Sequence, residues 1–103
     1  MELSTAGRPY PMTEEQFIQE NKGSYDEFIL RTWGPFHQIP EHTHPFSIKA
    51  LVTAGAMWLT VRDIERQLTV GDVFELDYEE PHGERYGPEG ASYLVARRGY
   101  PCK

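Results

Sequence analysis

Cysteine is nearly absent: the chain has 103 residues and one thiol, Cys102. No intrachain disulfide can form, so no covalent staple holds the fold, and the composition suits a reducing, cytoplasmic setting. Positive charge is scarce too. Ten Lys and Arg face 16 Asp and Glu, a formal charge of −6, and Arg97-Arg98 is the one adjacent basic pair. That balance repels a phosphate backbone and makes nucleic acid a poor partner. No apolar run approaches the roughly 20 residues of a helical membrane span, so no membrane partner is expected. Residues 1–11 lack the basic start and apolar stretch of a secretory leader. Internal repeats and low-complexity runs are missing as well. Leu, Ile, Val and Phe together make up about a fifth of the chain, close to the lower limit for a folded domain. Six Tyr and two Trp add bulk, and the apolar residues are periodic, which indicates one folded domain with a single core.

Residues 1–12 carry Gly7, Pro9 and Pro11 without periodicity and read as an arm. Thr13 and Gln16 fit a capping box, with Thr13 as N-cap. Phe17, Ile18 and Tyr25 form one short apolar side, and Gly23 is the natural stop for a helix of two to three turns. From Tyr25 the period changes to two. Strands are expected over 25–32, 40–44, 46–53, 57–61, 64–70, 73–77, 81–86 and 92–98. They are separated by turn signals at Gly34-Pro35, Ala54-Gly55, Arg62-Asp63 and Gly71-Asp72. Turns this regular in a short chain predict an all-β fold, most simply a closed or jelly-roll barrel that hides its strand edges. Met57, Leu59, Val61 and Val73, with Ile48, Ala50 and Val52, line up as interior. Leu68 and Val70 share one face. Trp58 and Thr60 point the other way, which makes Trp58 a candidate for an interface with a second chain.

Chemistry concentrates in four histidines, His37, His42, His44 and His82. His42 and His44 are two apart on an expected strand, so both rings fall on one face. Imidazole nitrogen suits divalent transition metals, and His82, at the head of a late strand, is the natural third ligand. His37 lies in a loop between Gly34 and Pro40 and reads as solvent-exposed. The acids of residues 77–80 read as a solvated loop, and Arg97-Arg98 as a surface end.

The run Glu41-His42-Thr43-His44-Pro45-Phe46, followed by Gly55, resembles the first motif of the cupin superfamily. Gly71 and Pro81-His82 match the glycine and histidine of the second. The resemblance spans about residues 25–98. It implies a small cupin barrel (double-stranded β-helix, jelly roll) with a short N-terminal helix: arm and helix over 1–24, barrel over 25–103. It implies a metal site at His42, His44 and His82 holding a divalent transition metal, one of Fe, Ni, Zn, Mn or Cu. It also implies a small-molecule ligand in the barrel and pairing into a homodimer. The chemistry open to such a site is oxygenation, isomerisation or decarboxylation; a non-enzymatic sensor and a metal-free cupin are the alternatives.

The departures matter as much. The usual glutamate ligand falls at Ile48 or Lys49, and neither is a carboxylate. Asp77, Glu79 and Tyr86 stand where proline, glycine and asparagine are usual, so Glu79 needs a turn geometry that favours glycine. Glu84 shares strand parity with His82 and is a minor candidate for a carboxylate from another direction; Glu41 and Glu75 are weaker still. Glu84 and Tyr86 are the only guesses for acid–base work, and no catalytic residue is assigned. Lys49 is expected to point outward.

Overall fold

A computed structural model describes residues 12–98. Helix α1 (Glu14–Asn21) is followed by six strands: β1 (Glu27–Trp33), β2 (Gln38–His42), β3 (Ser47–Val61), β4 (Ile64–Thr69), β5 (Val73–Leu76) and β6 (His82–Arg98). Call α1 a lid on one face of the sheet. Its capping box forms as the sequence indicates: the Gln16 amide donates to Thr13 Oγ1, and the Thr13 amide to Gln16 Oε1. Phe17 is fully buried and meets Phe28 edge-on at 6.2 Å. With Met12, Leu51, Leu94 and Ala96 it forms a cluster between α1 and the outer face of the sheet. Met12 thus packs against the domain, while the rest of the expected arm, and Cys102, lie outside the described residues.

All strand pairs are antiparallel. The long strands β3 and β6 pair with each other, β1 and β2 flank β6, and β4 and β5 flank β3. Here the structure differs from the expected strand list. The pieces 46–53 and 57–61 are one strand, β3, and the pieces 81–86 and 92–98 are one strand, β6. The Ala54-Gly55 signal marks a bend rather than a turn. The β3–β6 register slips between Val52 and Ala54 and again between Gly55 and Met57, as β-bulges do where a sheet must curl. Gly55 (φ 73°) and Gly90 (φ 71°) face each other at this bend; a Cβ on Gly55 would sit 2.1 Å from the Gly90 carbonyl oxygen. Bent in the middle, each long strand serves two parts of one rolled sheet.

The bend also switches parity. Ile48, Ala50 and Val52 fill the interior before it, Met57 and Leu59 after it. Val61 packs at the margin of that core. Val73, expected inside the barrel, packs instead with the cluster beneath α1. Leu68 is buried but Val70, beyond the end of β4, is exposed. Arg62 and Asp63 both take positive φ (53° and 66°) between β3 and β4, as a two-residue hairpin turn requires. Trp58 lies outside the barrel, where the Arg85 guanidinium covers its ring at 4.3 Å. Arg85 in turn is paired with Glu65, so this ring face has a partner within the chain.

Candidate metal and ligand site

Three segments place the histidines. His42 ends β2 and lies directly opposite His82, the first residue of β6. His44, expected on the same strand as His42, lies beyond the end of β2. Two contacts hold it: its carbonyl accepts from the Glu79 amide (2.8 Å), and its ring stacks on Phe46 at 4.9 Å. Glu79, in the position where glycine is usual, has φ 59°, so the strained turn before β6 is tied to a histidine of the cluster. The three rings converge, with centroids 4.3 Å (His42–His82), 4.8 Å (His42–His44) and 5.0 Å (His44–His82) apart. One ring nitrogen of each lies within 4.8 Å of the others.

The tautomers follow from the hydrogen bonds. His42 Nδ1 is 2.7 Å from the Pro40 carbonyl oxygen, and His82 Nδ1 is 2.8 Å from that of Glu80. A carbonyl only accepts, so each Nδ1 carries the proton and donates, and each Nε2 keeps its lone pair. A histidine that ligates a metal is held in this way. His82 Nε2 is buried and has no hydrogen-bond partner, an arrangement that costs free energy unless something occupies the lone pair. Burial holds the His82 pKa below its usual value, against the opposing pull of the Glu80 carbonyl. Burial, then the neighbouring His82 and His42, lower that of His44. Both imidazoles are thereby kept neutral, the form that binds metal. The donor set, geometry and orphaned nitrogen fit a divalent transition metal.

A carboxylate stands beside the histidines on β6. Ile48 occupies the usual glutamate position and forms apolar wall, while Lys49 faces outward and pairs with Glu75 (3.6 Å). Glu84 points inward beside His82, with its side chain only 6% exposed. Glu84 Oε2 is 3.5 Å from His82 Nε2 and 4.0 Å from His42 Nε2. Its other oxygen is held from behind: Tyr86 and Tyr93 both donate to Oε1, and the Trp33 indole donates to the Tyr93 hydroxyl (3.0 Å). Burial, with the neighbouring Tyr93 and Glu84, pushes the Tyr86 pKa far up. Burial and Glu84 push that of Tyr93 to about 12. Both phenols therefore stay protonated and act as fixed donors that aim Oε2 at the histidines. Trp33 and Tyr93 carry no motif, and sequence reasoning missed them; the available signal was an inward parity on β1 and β6, where the two stand diagonally, Trp33 opposite Ala91 and Tyr93 opposite Arg31. His37 is exposed and stacks on Trp33 at 4.9 Å, away from the histidine cluster.

Beside the cluster is a cavity of about 240 Å³. Its wall is mainly apolar, from Trp33, Ile39, Phe46, Ile48 and Val95, and His42, His44 and Glu84 also line it.

An antiparallel sheet rolled on two bent long strands, with histidines from β2, the following loop and the head of β6 gathered at one end, defines the cupin double-stranded β-helix. Solved structures agree on this fold. A cupin from Shewanella frigidimarina described as RmlC-like superposes with TM-score 0.64 at 20% identity, over 72% of this chain and 66% of that one. The DMSP lyase DddQ from Ruegeria pomeroyi gives 0.65 at 23%, over 70% of this chain and 37% of that one. Drosophila melanogaster CENP-C bound to CAL1 gives 0.59 at 17%, over 68% of this chain and 60% of that one. No family model and no curated protein matches the sequence. The chain corresponds to 37% of the length of one DMSP lyase neighbour and 66% of the Shewanella cupin. A DMSP lyase and a structure of CENP-C bound to CAL1 share this fold, so architecture alone selects no activity here.

Proposed function

We propose that the chain binds one divalent transition metal ion (Fe, Ni, Zn, Mn or Cu) through His42, His44 and His82, with Glu84 as the nearby carboxylate. A small organic molecule occupies the adjoining cavity. The observation that carries this reading is the pre-set tautomer of His42 and His82, with the Nε2 of His82 buried and unpartnered. When bound, such an ion supplies Lewis acidity, and redox chemistry if the metal is redox-active. The chain's own residues do the rest. Backbone carbonyls orient two imidazoles, Tyr86 and Tyr93 hold Glu84, and the apolar wall excludes water from the ligand. Glu84 Oε2 is the one carboxylate oxygen among the described residues placed to accept a proton beside the cluster.

A non-enzymatic binding or sensor role is the second reading. It is favoured by the two inward phenols being already committed to Glu84, which leaves Glu84 no free partner acid among the described residues. Elemental mass spectrometry on untagged protein, reconstituted with each metal in turn, tests the metal reading. About one equivalent per chain in the wild type and loss in His82→Ala are expected; no metal in either rejects it. Oxygen consumption or substrate conversion by loaded protein then separates enzyme from sensor.

A further inference from the structure

The cavity beside the histidines has two further charged groups on its wall. On β1, Glu27, Ile29, Arg31 and Trp33 share the inward parity, and Ile29, Arg31 and Trp33 line the cavity. Opposite them on β6 are Arg97, Val95, Tyr93 and Ala91. Two guanidinium groups therefore reach this wall, and they are not equivalent. Arg97 is committed: it pairs with Glu27 at 3.0 Å and lies over the Phe46 ring at 4.8 Å. Arg31 has no carboxylate partner among the described residues, in a chain with six more acids than bases.

An exposed guanidinium with no carboxylate partner among the described residues, on the wall of an apolar cavity that two imidazoles also line, specifies a ligand. Guanidinium presents parallel N–H donors that match a carboxylate bidentately. The intervening wall of Ile29, Trp33, Ile48 and Val95 suits a hydrocarbon body rather than a polyol. The volume of about 240 Å³ equals the room of about eight waters, which sets the ligand at about ten non-hydrogen atoms.

We propose that the cavity binds a small monocarboxylate with an apolar body, its carboxylate on Arg31 and its far end at the histidine cluster. The inference rests on the small-molecule part of the function proposed above and extends it to a ligand class.

The test uses hexanoate and benzoate as probes, with hexanamide and benzamide as uncharged matches and inorganic phosphate as the anion without an apolar body. Binding is measured by isothermal calorimetry on the full chain, both metal-loaded and chelator-treated, with metal content measured separately. At least one acid is expected to bind about tenfold or more tightly than its amide in both preparations, with phosphate weak. Arg31→Gln should erase the preference and Arg31→Lys should keep part of it, with metal content unchanged. Equal binding of acid and amide overturns the proposal, as do phosphate binding as well as the acids and silence from every acid. So does a preference that survives Arg31→Gln but disappears with chelator, since the metal would then hold the carboxylate. If no metal binds but the Arg31-dependent preference persists, the metal reading fails and this one stands.

Discussion

Replacing Glu84 by Gln separates two effects of opposite sign. Tyr86 and Tyr93 donate to Oε1, so the amide must turn its carbonyl oxygen to them and its NH2 to the site of Oε2. That nitrogen then stands 3.5 Å from His82 Nε2 and 4.0 Å from His42 Nε2. In the metal-free wild type an acceptor faces two lone pairs there; in the variant a donor faces them. The orphaned His82 nitrogen gains a hydrogen bond worth about 1 kcal/mol, and a buried charge disappears. Metal-free Glu84→Gln is therefore expected to be at least as stable as the wild type. Metal affinity moves the other way. Glu84 makes no hydrogen bond to either ring and acts on the ion through its charge: removing a negative charge about 4 Å away costs up to ~4 kcal/mol per unit of charge on the ion before solvent responds. A loss of about 100-fold, or ~2.7 kcal/mol, is expected. Urea unfolding of chelator-treated protein and competition titration with Zn²⁺ read the two effects separately. Unchanged affinity, or a metal-free variant less stable by more than about 1 kcal/mol, would refute the assignment of Glu84 and its tyrosine clamp.

Three further outcomes follow from particular residues. Phe17→Ala opens the cluster beneath α1 and should cost about 3–4 kcal/mol in urea unfolding, with metal stoichiometry unchanged because that cluster lies on the far side of the sheet from the histidines; a loss below 1 kcal/mol, about a cap's worth, would mean that α1 is not packed there. Glu79→Gly relieves a left-handed non-glycine residue at φ 59° and should add about 0.5–1 kcal/mol by thermal unfolding, the strain relieved less the backbone entropy of glycine. His44 and His82 have pKa values lowered from 6.5 in the fold, so the unfolded chain takes up protons first. Stability of the metal-free protein should be complete above about pH 6.5 and fall as the pH drops through the folded-state values; a urea midpoint that is flat or rising from about pH 7.5 to 5.5 would contradict the burial of the two rings.

Much of the site could be read locally. His42 and His82 sit beside breaks that any reader of the chain can see, and their direct opposition across β2 and β6 follows once both are placed at strand ends. The reading of β3 and β6 as two strands each has one cause. A glycine at a turn and a glycine at a bend look alike in sequence, because both supply positive φ. At Gly55 and Gly90 the chain carries on instead of reversing, since backbone approaches each of them too closely for a Cβ, and that approach exists only after β3 and β6 have paired.

By itself, then, the sequence determined the alternation that makes strands, the capping box of α1 and the three histidines, all set by neighbours within a few residues. It also showed that the usual glutamate ligand was missing from β3. Only the tertiary structure decided where a carboxylate comes from. Glu84, Tyr86, Tyr93 and Trp33 lie on three stretches of chain whose inward parity changes at the bend, and what brings them together is long-range pairing. That pairing turns Glu84, a minor candidate in the sequence, inward beside the histidines, and puts Arg31 on the cavity wall with no carboxylate partner among the described residues.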